Sequence, residues 1–399
     1  MEDLYCVIAR SISDEAILMK LNFMKVSDYY YHLPKNLIAQ EPLKERDKSK
    51  LLIMDRSKGS IEEDVFYNLT EYLGENDCLV LNNSKVIPAR LFATKKDTGA
   101  KIEILLLSEL KKNLWTALIK PFKRVKKGTI LVYPSKISTR VSNLKSIIEE
   151  KVGEGIVKIR FFYENSYKKF EVEGMLLDRK KEIVSNKKLR IVDEKNLKKD
   201  IFSLGITPLP SYIKNPNIPL KRYQTIYAKK EGSVAAPTAG LHFTNEVFKR
   251  ISKKGIKIAT ITLHVSLDTF RPIKVDNVEN HIIHSEKFYL SEEQSKLINN
   301  VKADGGKIIA VGTTTVRALE SATKDGEIKP FSGETDLFIK PNYRFKMVDG
   351  IITNFHLPCS TLFIMICAFA NKKIVMNAYN LAIKKKYRFY SFGDAMLIL

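Results

Sequence analysis

Five of the chain's six histidines, His242, His264, His281, His284 and His356, fall within or beside four short stretches made mostly of small and uncharged residues. The stretches are GSVAAPTAGLHFT from Gly232, LHVSLDTFRP from Leu263, AVGTTTVR from Ala310 and TNFHLPCST from Thr353. Imidazole is the side chain that changes charge nearest neutral pH, so histidines gathered in this way suit proton transfer. Taken singly, each is more often a satisfied structural group. His281 and His284 form HIIH, which lacks the glutamate and the i, i+4 spacing of a helical zinc site. Thr313, Thr314 and Thr315 precede a helical pattern, where hydroxyls and amides hold an anion or simply cap the helix. Arg271 and Arg317 suit bidentate binding of a carboxylate or phosphate, and equally a solvated surface. Asp336 in ETDLFI and Asp394 in SFGDAML are acids among apolar residues. Either is explained by a turn or helix cap; Asp336 is the stronger functional candidate, as an acid able to hold a cation or an amine. No glycine-rich dinucleotide fingerprint, P-loop, GxSxG elbow or paired-cysteine zinc signature is present.

The segments around these stretches show how they are positioned. Past Gly74, the runs CLVLN, ARLFAT, IEILLL, LWTALIK and TILVYP recur about every ten residues with turn signals between them, and GIVKIRFFY adds another strand. Such spacing predicts a small barrel or sandwich. VDEKNLKKDIFSLG reads as a helix stopped near Gly205 and followed by Pro208 and Pro210. Beyond Tyr223, strands alternate with helices: Thr244 caps NEVFKRISKK, IKIATITLHV is β-branched, GGKIIAVG leads into TTTVRALESA, and DGIITNFH leads into STLFIMICAFA. This alternation predicts an α/β domain with mostly parallel pairing. Loops at the carboxyl ends of its strands build the ligand site, and small residues let a bound molecule approach the backbone. Pro237, Thr238, Gly240, Phe270, Thr313, Thr314, Asn354 and His356 are therefore expected walls of one pocket.

At 399 residues the chain exceeds what a single core usually supports. The expected organisation is an N-terminal disordered appendage over 1–23, a discontinuous α/β catalytic domain over 24–84 and 205–399, and an inserted basic β-barrel over 85–204. Sixty-seven basic residues against 45 acidic ones leave a charge of +22, of which residues 111–200 carry 24 basic against 11 acidic, or +13. That concentration suits a polyanion such as RNA, though a lysine-rich surface without a partner has the same composition. Four scattered cysteines fit a reducing cytoplasm and no disulfide framework. The longest apolar run, LFIMICAFA from Leu362, is about half the roughly 20 residues of a membrane span.

Several of these motifs carry a resemblance. YHLPKNLIAQEPLKERDKSKLL, LVLNNSKVIPARL, YQTIYAKKEGSVAAPTAGLHFT, TLHVSLDTFRP, AVGTTTVRALES, TDLFI, TNFHLPCSTL and YRFYSFGDAML closely resemble the S-adenosylmethionine:tRNA ribosyltransferase-isomerases of queuosine biosynthesis, from Met24 to the C-terminus. The resemblance implies a barrel-like α/β domain interrupted by a smaller β-barrel. It also implies transfer and isomerisation of the ribosyl part of S-adenosylmethionine onto 7-aminomethyl-7-deazaguanine at the tRNA wobble position, giving epoxyqueuosine and releasing adenine and methionine. S-adenosylmethionine is then a substrate, no cofactor or metal is expected, the partner is tRNA, and the protein is expected to be a cytoplasmic monomer. Under this reading His242 or His264 transfers the proton, Arg271 and Arg317 bind the methionine carboxylate or a tRNA phosphate, and Asp336 orients the aminomethyl group. The sequence departs from the family pattern at Ser266 and Asp268, where glycines are usual, and at Cys359, where lysine is usual. A non-catalytic RNA-binding factor and an ordinary methyltransferase are the competing readings. The first has no use for histidines beside glycine-bearing loops, and the second wants a glycine-rich first-strand loop that is missing.

Overall fold

The computed structural model describes residues 24–134, 143–164, 196–265, 273–283 and 285–399. Strands β1 (Lys50–Asp55), β2 (Ser60–Val65), β3 (Cys78–Asn82) and the short β4 (Ser84–Val86) come first. Six more follow: β5 (Arg90–Lys95), β6 (Lys101–Lys111), β7 (Leu114–Lys120), β8 (Ile130–Val132), β9 (Leu144–Gly153) and β10 (Ile156–Tyr163). After helix α1 (Leu197–Leu204) come β11 (Lys230–Ser233), helix α2 (Asn245–Lys253), β12 (Lys257–Leu263), β13 (Glu286–Leu290), helix α3 (Glu292–Ala303), β14 (Ile308–Val311) and helix α4 (Thr313–Ala322). The chain ends through β15 (Thr323–Lys324), β16 (Glu327–Ile328), β17 (Phe331–Thr335), β18 (Gly350–Asn354), helices α5 (Thr361–Ala370) and α6 (Lys372–Lys384), and β19 (Ala395–Ile398).

The protein is an α/β fold in which an all-β barrel interrupts the strands of a larger sheet. The nine-stranded sheet runs β17-β13-β12-β3-β14-β18-β19-β1-β2. At its centre β12, β3, β14 and β18 pair in parallel. Every residue of β3, β14 and β18 is buried, which explains why CLVLN, IIAV and GIITN are continuous apolar runs rather than alternating ones. One cluster of buried side chains covers one face, with Phe363, Ile366 and Val375 of α5 and α6 among them; a second, with Phe66, Val247 and Ile251, covers the other.

Pairing is less uniformly parallel than the strand-helix alternation suggests. β2, β13 and β17 are joined antiparallel at the margins, and β19 lies antiparallel to β18 but parallel to β1. At β1–β2 the cause is local: Asp55 Oδ1 accepts from the amides of Ser57 and Lys58 and from the Ser57 hydroxyl, closing a tight turn that permits only an antiparallel return.

The smaller sheet closes on itself in the order β10-β7-β6-β5-β8-β9. Its interior follows the period-2 alternation of its strands: Ile102, Ile104 and Leu106, then Trp115, Ala117 and Ile119, then Val157, Ile159 and Phe161. Leu197 and Ile201 of α1 join that core. β9, which completes the ring, ends in the charged run EEKVG and carries no comparable apolar signal.

Entry to and exit from the barrel run side by side, because Ile206 donates to Arg90 O at 2.9 Å. Gly205, where α1 stops, is packed so closely there that a Cβ would stand 1.8 Å from Pro88 O. Backbone cannot give way as a flexible side chain can. Gly205→Ala is expected to lower the unfolding free energy by about 1–3 kcal/mol, the usual cost of overpacking, read as a lower denaturant midpoint at unchanged slope.

Candidate active site

A cleft of about 610 Å³, counting its open mouth, lies at the carboxyl edge of the parallel block. Val265 follows β12, Gly312, Thr313 and Thr314 follow β14, and Asn354, Phe355 and His356 end or follow β18, so the cleft is walled by neighbouring strand ends. The loop at Ala236–Ala239 supplies another wall, and Tyr212 and Tyr390 contribute aromatic rings with centroids 4.9 Å apart. Among the described residues no carboxylate, lysine or arginine lines it.

The small-residue loop is tied down from both ends. Ser233 Oγ donates to Ala235 O at 2.7 Å and accepts from the Val265 amide at 2.9 Å, joining the loop to the end of β12. Asn82 extends the same junction by accepting from the Leu263 amide and donating to Leu263 O. At the loop's far end Thr244 accepts from the Val247 amide and caps α2. Gly312, at φ +94°, is the N-cap of α4 and supplies no side-chain cap, so no side-chain hydroxyl of the cap residue bonds the first amides of the helix, whose first residues line the cleft.

His242 is buried behind the cleft wall and bonded on both ring nitrogens. Ser49 Oγ lies 2.7 Å from Nδ1, and the Asn354 amide nitrogen lies 3.1 Å from Nε2. Asn354 also donates to Asp394 O and accepts from Thr238 Oγ1 at 2.9 Å. These partners set its amide orientation and make Nε2 of His242 an acceptor, hence a neutral Nδ1–H imidazole. Burial, with Arg388 and Arg46 nearby, pushes the His242 pKa down to about 4.

His356 lines the cleft directly, with Nε2 2.8 Å from Thr353 Oγ1. Its amide donates to Tyr379 Oη and its carbonyl accepts from Tyr31 Oη. Burial alone pushes its pKa down to about 3.

Pro237, Thr238, Thr313, Thr314, Asn354 and His356 thus meet around one cavity. Phe270 and Arg271 lie outside the described residues, as do Ser266, Asp268 and His284. Four other expectations need correction. Gly240 does not line the cleft; a Cβ there would stand 1.9 Å from Tyr227 Oη, so its smallness serves packing. Arg317 is not offered to an anion: it pairs with Glu286 at 2.5 Å and donates to Leu337 O and Thr335 O, both partners being almost fully buried. It anchors α4 to β13 and β17. Asp336 is exposed, and its charge acts on Arg317 rather than on the cleft. His264 lies against the backbone of Gly232, outside the cleft lining; burial, then Lys287, lowers its pKa. Asp394 proves to be a turn cap, accepting from the amides of Lys50 and Arg388. Cys359, at φ +55°, is also absent from the lining.

Tyr212, Tyr390, Ser360 and Ser391 were not singled out from sequence. Ser360 lies within TNFHLPCST but reads there only as a helix cap, Tyr212 lies far from the four stretches, and YSFGD offers only an ordinary turn signature. Among the described residues no group of three or more His, Cys, Asp or Glu is placed to hold a metal, and no single helix is long and apolar enough to cross a membrane.

A cavity at the carboxyl ends of parallel strands, with a histidine inside and no charged side chain among its described lining residues, is the arrangement of an α/β enzyme acting on a small organic molecule. The family model for "Queuosine biosynthesis protein" matches residues 26–398, and the chain belongs to that family. It is 48% identical over 377 residues to the S-adenosylmethionine:tRNA ribosyltransferase-isomerase of Caldanaerobacter subterraneus subsp. tengcongensis, covering 94% of this chain and 100% of that protein. The enzyme of the same name from Thermoanaerobacter sp. strain X514 is 47% identical with the same coverage. Among solved structures, S-adenosylmethionine tRNA ribosyltransferase from Thermotoga maritima is similar, with a TM-score of 0.50, 35% identity, and coverage of 94% of this chain and 100% of that one.

Two outcomes follow from the buried groups. Removing one partner of the Arg317–Glu286 pair strands the other charge, so Arg317→Met is expected to cost about 3–5 kcal/mol, seen in chemical denaturation. The two buried histidines bind no proton in the folded state until well below the ordinary histidine pKa of 6.5, whereas the unfolded chain binds protons at that value. Their contribution is complete above pH 6.5 and is lost as pH falls toward about 4 for His242 and about 3 for His356. For His242 this amounts to about 3 kcal/mol. Unfolding free energy should therefore fall between pH 7 and 4, and less steeply in His356→Gln.

Proposed function

We propose that the cleft binds S-adenosylmethionine beside an extruded wobble nucleotide of tRNA and transfers its ribosyl part to 7-aminomethyl-7-deazaguanine, isomerising it to epoxyqueuosine and releasing adenine and methionine. The observation carrying this reading is the meeting of the separate small-residue loops around one uncharged cavity, in a chain of this family. The sulfonium of S-adenosylmethionine acidifies the adjoining ribose carbon, so the substrate itself supplies the activation and no resident cofactor or metal is required. Tyr212 and Tyr390 offer ring faces suited to a sulfonium. The open amides at the start of α4 suit a polar substituent of the substrate.

Among the expected proton-transfer groups the geometry favours a different histidine. His356 is in the cleft wall with Nε2 held by Thr353 Oγ1, and in its Nε2–H tautomer Nδ1 is the atom that accepts a proton. His242 acts behind it as a positioning residue, holding Asn354 and through it the Thr238 hydroxyl. Both rings are neutral at pH 7, which spares the cavity a positive charge next to a sulfonium.

Incubation with S-adenosylmethionine and tRNA carrying the aminomethyl base should liberate free adenine, resolved chromatographically. S-adenosylhomocysteine in its place would show a methyltransferase, and neither product would show an RNA-binding factor. His356→Ala should lower the rate of adenine release about 100-fold or more. His242→Ala should retain tRNA affinity within a few-fold and lose turnover less severely. Equal turnover in His356→Ala and wild type removes His356 from the chemistry.

A further inference from the structure

A second cavity, of about 290 Å³, backs onto the cleft. It is lined by Arg46, Ser49, Arg222, His242 and Ser391; Ser391 also lines the cleft, and His242 reaches it through Asn354. Segments far apart in sequence bring three arginines to this place. Arg46 donates to Gln224 O at 2.8 Å and to Lys221 O at 2.9 Å, Arg222 donates to Leu43 O, and Arg388 donates to Glu41 O. All the acceptors are backbone carbonyls. Arg56 likewise bonds only backbone carbonyls, of Phe369 and Asp349, whereas other arginines take carboxylates: Arg160 pairs with Glu149, Arg250 with Glu71 and Arg317 with Glu286. None of these three does so, and Nη1 of Arg388 is buried without any partner. Glu41 and Glu45 are exposed nearby and pair with none of them. Burial and then Arg222 hold Arg46 below its ordinary pKa, and burial does the same to Arg388.

Asp394 offsets part of the charge on Arg388, but no carboxylate among the described residues bonds Arg46 or Arg222; half-buried like charges without a bonded counter-ion cost free energy, and the deficit is removed when an anion binds. Exposed Lys44, Lys48 and Lys221 continue the positive surface outward, as a chain of anions would need and a single carboxylate would not. We propose that Arg46 and Arg222, backed by Arg388, form an oxyanion subsite for one phosphodiester of the RNA strand whose base enters the adjoining cleft. The assignment rests on the functional reading above. The His242–Asn354 wall separates this subsite from the cleft.

The test substitutes the ligand before the protein. An anticodon stem-loop carrying one uncharged methylphosphonate, moved through the linkages flanking the wobble nucleotide, is titrated against the full chain by fluorescence anisotropy. One position should weaken wild-type binding about tenfold or more, the value of a charge-assisted hydrogen bond. Arg222→Gln and Arg388→Gln should weaken the native RNA by a similar factor, and the methylphosphonate at that position should then have little further effect. Affinity for S-adenosylmethionine, by calorimetry, should stay unchanged. Arg388→Gln leaves the Arg46 and Arg222 ties to backbone in place, so it reports even where Arg222→Gln melts early. Loss of S-adenosylmethionine affinity with RNA affinity intact would make this a carboxylate seat and overturn the proposal, as would full additivity of RNA and protein changes at every position. Absence of adenine from wild-type incubations would instead defeat the functional reading while the binding titrations still decide the subsite.

Discussion

The parallel pairing of β12, β3, β14 and β18 is the constraint from which the cavity follows. Parallel neighbours put their carboxyl ends on one edge, so the chain leaving β12, β14 and β18 must emerge at the same place whatever the loops contain. Burial on both faces makes that block the most strongly held part of the sheet, since each strand contributes a full set of apolar side chains rather than half a set. The antiparallel margins then extend the sheet without altering where the loops converge. The barrel, inserted between β4 and β11, leaves and returns through one paired crossing at Arg90 and Ile206 and does not break the register of the central strands.

Within that frame, polar groups near the cavity are spent on one another. Glu320 accepts from the amides of Lys346, Met347 and Val348 and from Tyr343 Oη, fixing the segment that leads into β18. Arg317 and Glu286 fix α4, whose first residues face the cleft. Asp394 fixes the turn before β19 through two backbone amides. Among the described residues, what faces the cavity is hydroxyl, aromatic ring, aliphatic side chain, the Asn354 amide and the His356 imidazole. Groups fixed in this way need little rearrangement when charge shifts beside them.

Much of this was readable from residue types, and the limits have a physical cause. β3 and β7 match CLVLN and LWTALIK end to end because strand runs bounded by turn residues are local signals. α2, α4 and α5 begin where the Thr, Gly-Thr and Ser signals place them. The convergence of Pro237, Thr238, Thr313, Thr314, Asn354 and His356 was legible because strand-end loops of small residues have few other uses. Partners were not legible. Nothing in GTTTVRALE says that Arg317 turns inward to Glu286, and nothing in APTAGLH says that Gly240 makes room for a tyrosine rather than a ligand. For the same reason the patch KERDKS reads as a solvated run, although Arg46 turns back onto carbonyls contributed from beyond residue 220.

The arginine cluster and the neutral cleft are linked through a single imidazole. Arg46 and Arg388 lie close enough to His242 that a proton on its ring would add a further positive charge to an already positive set, and burial adds to the same cost. The ring is thereby kept neutral, and a neutral Nδ1–H ring can only accept at Nε2. That acceptor fixes the amide nitrogen of Asn354 toward His242 and its oxygen toward Thr238, so the direction of the Thr238 hydroxyl in the cleft wall depends on charges two residues removed from it. An anion drawn to the arginines would relax part of this bias, raising the ring's proton affinity at the moment the neighbouring cleft is filled. Occupancy of one cavity would then be felt in the other through hydrogen bonds already present, without movement of the sheet that carries them.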